Sequence, residues 1–309
     1  MNSTSFSAAV KAELCRQPDG SPCCAAAEIY GALLFGYAFC PSDVRVVTGN
    51  VSLPSRLSRL MKSVFGFDFD IKPRPDAVMG KRTLAVTDRA KLSVLFETFG
   101  YAPDTSIALH LNNATLENEC CPTAFLRGAF LTGGSVADPA REYHLELSTP
   151  HRSLSREVFA LFNETMFSPG RSDRAGHAVL YLKASEQIED FLTAIGAQGA
   201  ALRMMETKVE KDLRNRINRK VNCETANLSK TVAAAVRQTA AVRALRESSV
   251  WATLPQTLRD TALVRLRYPE DALRDLCERF DPPLGRSGLN HRLRKLMDLA
   301  AAEMSERKE

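Results

Sequence analysis

The sequence has no stretch of the roughly 20 apolar residues that a membrane-spanning helix needs. Its most apolar run, Ala25–Phe39, is broken by Glu28. It also lacks an apolar core near its start: MNSTSFSAAVKAELCRQ carries Lys11, Glu13 and Arg16, which is not the pattern of a secretory leader. These absences exclude membrane-embedded and secreted classes and lead us to expect a cytoplasmic protein. Eight cysteines and five histidines are present, yet no Cys-x-x-Cys and no Cys/His zinc spacing occurs. No metal and no cofactor is therefore expected. The adjacent pairs Cys23-Cys24 and Cys120-Cys121 read as small buried apolar residues at helix starts. His110, His144, His151 and His177 show no nucleophile or ligand spacing and read as ordinary surface or sheet residues.

What is present suits an ordinary globular chain. The 309 residues, 45% hydrophobic and 25% charged, suffice for two ordinary domains or three small ones, each with its own core. The net charge of +5 is unevenly distributed. Residues 203–309 carry 22 Lys and Arg against 15 Asp and Glu, whereas residues 1–202 are slightly acidic. A basic C-terminal third points to an acidic partner there, most often nucleic acid.

The first two thirds contain an internal repeat. CCAAAEIYGALLFGYAF, from Cys23, matches CCPTAFLRGAFLTGGSV, from Cys120. Ala27, Gly31, Leu34 and Gly36 pair with Ala124, Gly128, Leu131 and Gly133, and LSRLMKSVFG with LSREVFALFN, all at one offset. Each copy opens with a helix (25–39 and 122–132). REYHLELST then places Tyr143, Leu145 and Leu147 on one face and Glu142, His144 and Glu146 on the other, the period of a half-buried strand. The expected fold class is α+β: two pseudo-symmetric αββαββα repeats, about 23–103 and 120–200, within a domain of residues 1–205. Small residues four apart on the opening helices, Ala27 with Gly31 and Ala124 with Gly128, predict that these helices pack against each other at a pseudo-two-fold axis.

This pattern resembles the LAGLIDADG homing endonucleases. The nine-residue motif aligns with IYGALLFGY (Ile29–Tyr37) and LRGAFLTGG (Leu126–Gly134), and the resemblance implies a metal-binding acid at the eighth position. Gly36 and Gly133 stand there instead. Metal-assisted phosphodiester cleavage needs carboxylates, so these are vestigial positions and no catalytic residue is assigned. An active site-specific endonuclease remains the alternative.

The basic third reads as helical. KVEKDLRNRINRK (208–220) and an alanine-rich continuation predict a basic helical linker over 206–250. Arg214, Arg216, Arg219, Lys220, Asn222 and Lys230 are its candidate phosphate contacts, weighed against a merely solvated face. Residues 251–309 read as an all-α helix-turn-helix domain, with the motif from Ala272 to Ala302. Leu258, Ala262 and Leu266 form one apolar stripe, Leu273, Leu276 and Phe280 a second, and Leu289, Leu293, Leu296 and Ala300 a third. Ser287 is the expected N-cap of the last helix. Ser287, Asn290 and His291 are assigned near bases, with a core or capping role as the alternative for His291, and Arg286, Arg292, Arg294 and Lys295 are divided between bases and phosphates. A purely structural bundle is the competing reading.

The whole chain resembles the WhiA family of bacterial regulators through FLRGAFLTGGSVADPAREYHLEL, RKVNCETANLSKTVAAAVRQ and FDPPLGRSGLNHRLRKL, which fall in order across all three regions. The resemblance implies a degenerate homing-endonuclease-like domain joined to a helix-turn-helix, and a transcription regulator of cell division and, in sporulating organisms, sporulation. The expected partner is double-stranded DNA at promoter regions, with nucleoid association. The repeat domain would serve as an interaction or scaffold module, binding an RNA polymerase sigma factor or another transcription protein.

Overall fold

The computed structural model describes residues 5–74, 80–101 and 109–306. They form two compact units, 1–211 and 212–309. In the first, helix α1 (Phe6–Cys15) precedes the repeats. Copy one contains α2 (Pro22–Leu34), β1 (Ala38–Cys40), β2 (Asp43–Thr48), α3 (Leu53–Phe65), β3 (Arg82–Val86) and α4 (Arg89–Thr98). Copy two contains α5 (Cys121–Gly133), β4 (Gly134–Val136), β5 (Leu145–Thr149), α6 (Arg152–Glu164), β6 (Gly170–Arg174), β7 (His177–Leu182) and α7 (Ser185–Ala194). The sheets are antiparallel, ordered β1-β2-β3 and β4-β5-β7-β6.

Copy two therefore has the expected αββαββα order, and copy one repeats it through α2, β1, β2, α3, β3 and α4. Opposite β3, among the described residues, a single antiparallel bridge joins Ile71 to Ala85, just before the counterpart of β6. By the repeat offset that counterpart spans 73–77, of which 75–77 lie outside the described residues. In copy two, β6 and β7 join through Ala175 and Gly176, both at positive φ, as the twist of a two-residue hairpin requires.

The opening helix is also shorter than the sequence predicts. It begins at Pro22, with the Ser21 hydroxyl accepting from the Cys24 N–H at 3.4 Å, and ends at Leu34. The Gly36 N–H then donates to Leu33 O and the Tyr37 N–H to Arg45 O, which starts the sheet. An unbroken apolar run carries no period, so the helix-to-strand switch inside it left no signal.

Helices α2 and α5 pack at the pseudo-dyad. A Cβ on Gly31 would lie 2.2 Å from Phe125 O, and one on Gly128 would lie 1.9 Å from Glu28 O. These two contacts exchange under the repeat offset, so each glycine receives the carbonyl of the other helix. The flanking Ala27 and Ala124 are fully buried. Strand alternation follows from the same core: Leu145 and Leu147 are buried, and Glu146 and Ser148 are half-exposed.

A buried charge is set into this interface. Glu28, fully inaccessible, accepts from Arg56 Nε and Nη2, both at 2.7 Å, and from Arg127 Nη1 at 3.2 Å. Arg56 is equally buried and also donates to Gln17 O, while Arg127 Nε donates to Ile195 O at 2.5 Å. The helix pair is thus tied to α3 and to the end of α7.

The paired cysteines are not all buried. Cys121 is, but Cys120 is exposed and Cys23 and Cys24 are half-exposed. They gather at the adjacent N-termini of α2 and α5, a juxtaposition that only the helix pairing creates.

After α7 a single helix, α8 (Gln198–Arg246), runs through the region of the expected linker. In the second unit its end packs Val242 and Leu245 into a core with α9 (Val250–Thr253), α10 (Gln256–Arg267), α11 (Leu273–Cys277) and α12 (Arg286–Glu306). Leu258, Ala262, Leu276, Leu289, Leu293, Leu296 and Ala300 are buried there, and Leu266, Leu273 and Phe280 pack partly buried against it.

In equilibrium urea unfolding of the full chain, Gly128→Ala should cost about 1–3 kcal/mol by overpacking the helix pair. Gly49→Ala, whose Cβ meets nothing within 4 Å, should stay within about 0.5 kcal/mol of the parent. Glu28→Ala leaves buried Arg56 only Gln17 O, Pro18 O and, at 3.4 Å, Asp19, and should cost about 3–5 kcal/mol; a loss no larger than that of Gly49→Ala would refute the buried-pair account.

Candidate nucleic-acid interface

The second unit presents its polar residues on α12 because Leu289, Leu293, Leu296 and Ala300 are taken up by the core. At about 100° per residue the opposite face carries Ser287, His291 and Arg294, with Lys295 beside them, all exposed. Arg286 and Asn290 are exposed on one flank, and Arg292 is half-buried on the other. The helix begins at Arg286, so Ser287 lies in its first turn and does not cap it. The Gly285 carbonyl accepts the Leu289 N–H at 3.0 Å, the first turn having formed two residues earlier than the sequence suggests.

The first helix of the motif, α11, has only five residues. Residues 278–285 then cross to α12, more than the three or four of a usual helix-turn-helix. Phe280 and Leu284 anchor this crossing in the core, and the Leu284 N–H donates to Cys277 O at 3.1 Å.

Arg286 and Asn290 line an open cleft of about 310 Å³ with Lys230 of α8 and Arg274 of α11. Arg265 and Gln238 also line it, and both are buried. Arg265 Nε donates to Gln238 Oε1 at 3.0 Å, and its Nη1 to Asp271 O at 2.7 Å and Tyr268 O at 3.3 Å. Burial pushes the Arg265 pKa down, with the nearby Asp271 working the other way. A guanidinium stays charged in proteins regardless. The Asp271 carboxylate is engaged with Arg279 at 3.0 Å. Four cations therefore line the cleft with no acid among its lining residues. Such a lining offers an anion charge-assisted hydrogen bonds.

The structure thus brings Lys230, Arg286 and Asn290 together and leaves the other α8 candidates apart. Arg214, Arg216, Arg219, Lys220 and Asn222 are exposed along the helix, from roughly 12 to 24 Å before Lys230 at 1.5 Å per residue. Arg216, Arg219 and Lys220 share Lys230's side, whereas Arg214 projects from the far side. Arg265 and Arg274 belong to the cleft but were not singled out from the sequence. Arg265 carried a signal: it follows Leu258 and Ala262 on the apolar stripe of α10, a place where an arginine must be buried and held.

The first unit has no comparable surface at the vestigial positions. A Cβ on Gly133 would lie 2.7 Å from Phe35 Cδ1 and 2.8 Å from Ser148 O, and one on Gly36 would lie 2.8 Å from Arg45 O. Gly133 is closed by Phe35 and sheet backbone and Gly36 by Arg45 O, Leu33 O and Val46, so neither admits a side chain without displacement. On the outward sheet face, Glu146 accepts from Ser135 at 3.2 Å, with His144 at 3.4 Å and Arg174 at 3.7 Å, a mixed rather than a basic surface. Among the described residues, no trio of carboxylates is close enough to share an ion.

A family model described as the WhiA LAGLIDADG-like domain matches residues 122–214, and one described as the WhiA C-terminal HTH domain matches residues 217–300. A "Probable cell division protein WhiA" of Ruminiclostridium cellulolyticum is 37% identical over 304 residues, covering 96% of this chain and 97% of the relative. Another of that name, from Heliobacterium modesticaldum, is 38% identical over 307 residues and covers 96% of each chain. The crystal structure of full-length DUF199/WhiA from Thermatoga maritima superposes with a TM-score of 0.59 at 24% identity, covering 97% of this chain and 99% of that one. That likeness supports the fold, a mixed α/β LAGLIDADG-like domain followed by a helical region.

The packing around the vestigial positions yields a test. A Gly36→Asp, Gly133→Asp chain should unfold at lower urea, by about 1–3 kcal/mol per site, and should show no Mg²⁺-dependent nicking of plasmid DNA. Restored cleavage with unchanged stability would show that these positions still open onto a metal site.

Proposed function

The chain belongs to the WhiA family, and from that premise we propose that it is a sequence-specific, double-stranded DNA-binding transcription regulator. Its process would be cell division, the role named for its relatives, and in sporulating organisms sporulation. The observation that carries this reading is the cationic cleft beside α12, where Lys230, Arg265, Arg274 and Arg286 meet at the first turn of the helix assigned to the major groove.

In this reading a DNA phosphate enters the cleft and sets the register of α12. Arg286, Lys230 and Arg274 contact it, and buried Arg265 adds fixed positive potential beneath. Asn290 and the outward face of Ser287, His291 and Arg294 then reach base edges, asparagine suiting adenine and arginine guanine. Lys295 and Arg292 flank this face. The arginines and Lys220 along α8, with Asn222, follow the phosphate backbone outward. The protein would work in the cytoplasm on the nucleoid, at promoter regions.

The LAGLIDADG-like unit is assigned no catalysis. It serves as an interaction or scaffold module, with a sigma factor or another transcription protein as its partner. The glycines in place of acids and the filled space around them weigh against the endonuclease alternative, which would require Mg²⁺-dependent cleavage by the homogeneous chain.

Fluorescence anisotropy with a bound promoter duplex, over a series of salt concentrations, tests this assignment. Lys230→Ala with Arg286→Ala should weaken binding to all duplexes and reduce the magnitude of the log–log salt slope by about two. Asn290→Ala should instead relax discrimination at one base pair by about 1–3 kcal/mol. Unchanged affinity and slope in the double variant would sink the cleft as a phosphate site.

A further inference from the structure

Three thiols remain without a role in this reading. Cys23 and Cys24 occupy the first turn of α2, just after Pro22, and Cys120 immediately precedes α5. Although 97 residues apart, Cys23 and Cys120 have their Sγ atoms 3.7 Å from each other. The Sγ atoms of Cys23, Cys24 and Cys120 all lie within 4.8 Å of one another, the only such donor set of three among the described residues. We propose that Cys23, Cys24 and Cys120 form a three-thiolate site for a thiophilic divalent ion of the zinc class, seated on the pseudo-dyad.

Distance, exposure and charge carry the argument. Zn–S bonds of about 2.3 Å at the tetrahedral angle place sulfurs about 3.8 Å apart, and the dyad-related pair already has that spacing. Burial as small apolar residues does not account for these thiols, since Cys120 is exposed and Cys23 and Cys24 are half-exposed. That exposure gives an ion an entry path. Coordination by three thiols releases three protons and leaves a complex of net charge −1, which sits where two helix N-termini converge, the favourable pole of both dipoles. A fourth position is left for water, since Cys121 is buried and lies outside the donor set. The rigid helix pair holds the ligands, because the Gly31 and Gly128 contacts bring the two N-termini together before any ion arrives. The ion would clip the two copies at one end of that pair.

The full chain, reduced and stripped with chelator under argon, should bind one equivalent of Co²⁺ with a thiolate-to-cobalt charge-transfer band. One equivalent of Zn²⁺ should displace it. Cys120→Ser and Cys23→Ser should lose the band, while Cys40→Ser and Cys223→Ser should keep it. A measurement on the unaltered chain avoids any folding defect of the variants. Zn²⁺ should slow alkylation of Cys23, Cys24 and Cys120, resolved by peptide mass spectrometry, and leave exposed Cys223 at its original rate. Absence of the band, or equal alkylation with and without Zn²⁺, overturns the proposal. So does a chain that forms a Cys23–Cys120 disulfide with diamide yet binds no Co²⁺ when reduced, which would make the cluster a redox pair.

Discussion

Everything in the first unit depends on how closely α2 and α5 approach. At Gly31 and Gly128 the distance is set by carbonyl oxygens, with no side chain between the backbones. Dispersion gains fall off steeply with separation, so removing a Cβ at both crossing points lets two almost fully buried helices interdigitate at crystal-like density. That contact fixes the pseudo-dyad, and the dyad places one sheet on either side. The same approach sets the spacing of the helix N-termini, and hence of the four cysteines. The small residues are a geometric requirement whose effects reach the ends of the helices.

The symmetry is strict in packing and broken in polar chemistry. Glu28 and Phe125 are dyad-related, as are Tyr30 and Arg127. On one side the pair Glu28 and Arg127 joins Arg56 in a buried ionic cluster. On the other, Tyr30 shares a hydrogen bond with Tyr101 at 2.7 Å, accepts the Asn112 N–H at 2.9 Å and packs its ring 5.6 Å from that of Phe125. Tyr101 in turn donates to His110 O at 2.5 Å. Both arrangements satisfy buried polar atoms, and neither can be exchanged for the other without leaving one unpaired. This asymmetry gives each copy one place in the unit and prevents the halves from swapping roles, which a fully symmetric interface would allow.

Much of this was legible as spacing. A constant offset carried Ala27, Gly31 and Gly36 onto Ala124, Gly128 and Gly133, and one small-residue period on two apolar helices implies their contact. The stripes of α10 and α12 were equally plain, because Leu258, Ala262, Leu289, Leu293, Leu296 and Ala300 repeat at helical intervals against a polar background. The end of α2 was not, because Leu33 to Phe39 is apolar throughout and a helix and a strand use such residues alike. The start of α12 was misplaced because Ser287 is a good cap in isolation, and local preference competes with the crossing anchored by Phe280 and Leu284. The thiol cluster and the cleft were hidden for a common reason. Cys23 meets Cys120, and Lys230 meets Arg274 and Arg286, only through tertiary packing, which leaves no periodic trace in the chain.

The two units spend their polar residues in opposite ways. In the first, Arg56 pairs with Glu28 and Asp19, Arg127 shares Glu28, and Arg174 faces Glu146, so these cations are turned inward or paired. In the second, the Asp271 carboxylate pairs with Arg279 and also acts on Arg265, while no acid lines the cleft where Arg265, Arg274, Arg286 and Lys230 share a field. A buried arginine held by carbonyls and an amide costs desolvation energy that a purely structural bundle could avoid with a leucine at the same point of the α10 stripe. Placed beneath a cleft lined by three exposed cations, it adds its fixed charge to theirs. The same logic applies in reverse at Gly36 and Gly133. Phe35, Leu33 O and the sheet backbone fill the space that a carboxylate there would need, so two acids would have to reopen the end of the helix pair on which the rest of the unit is built.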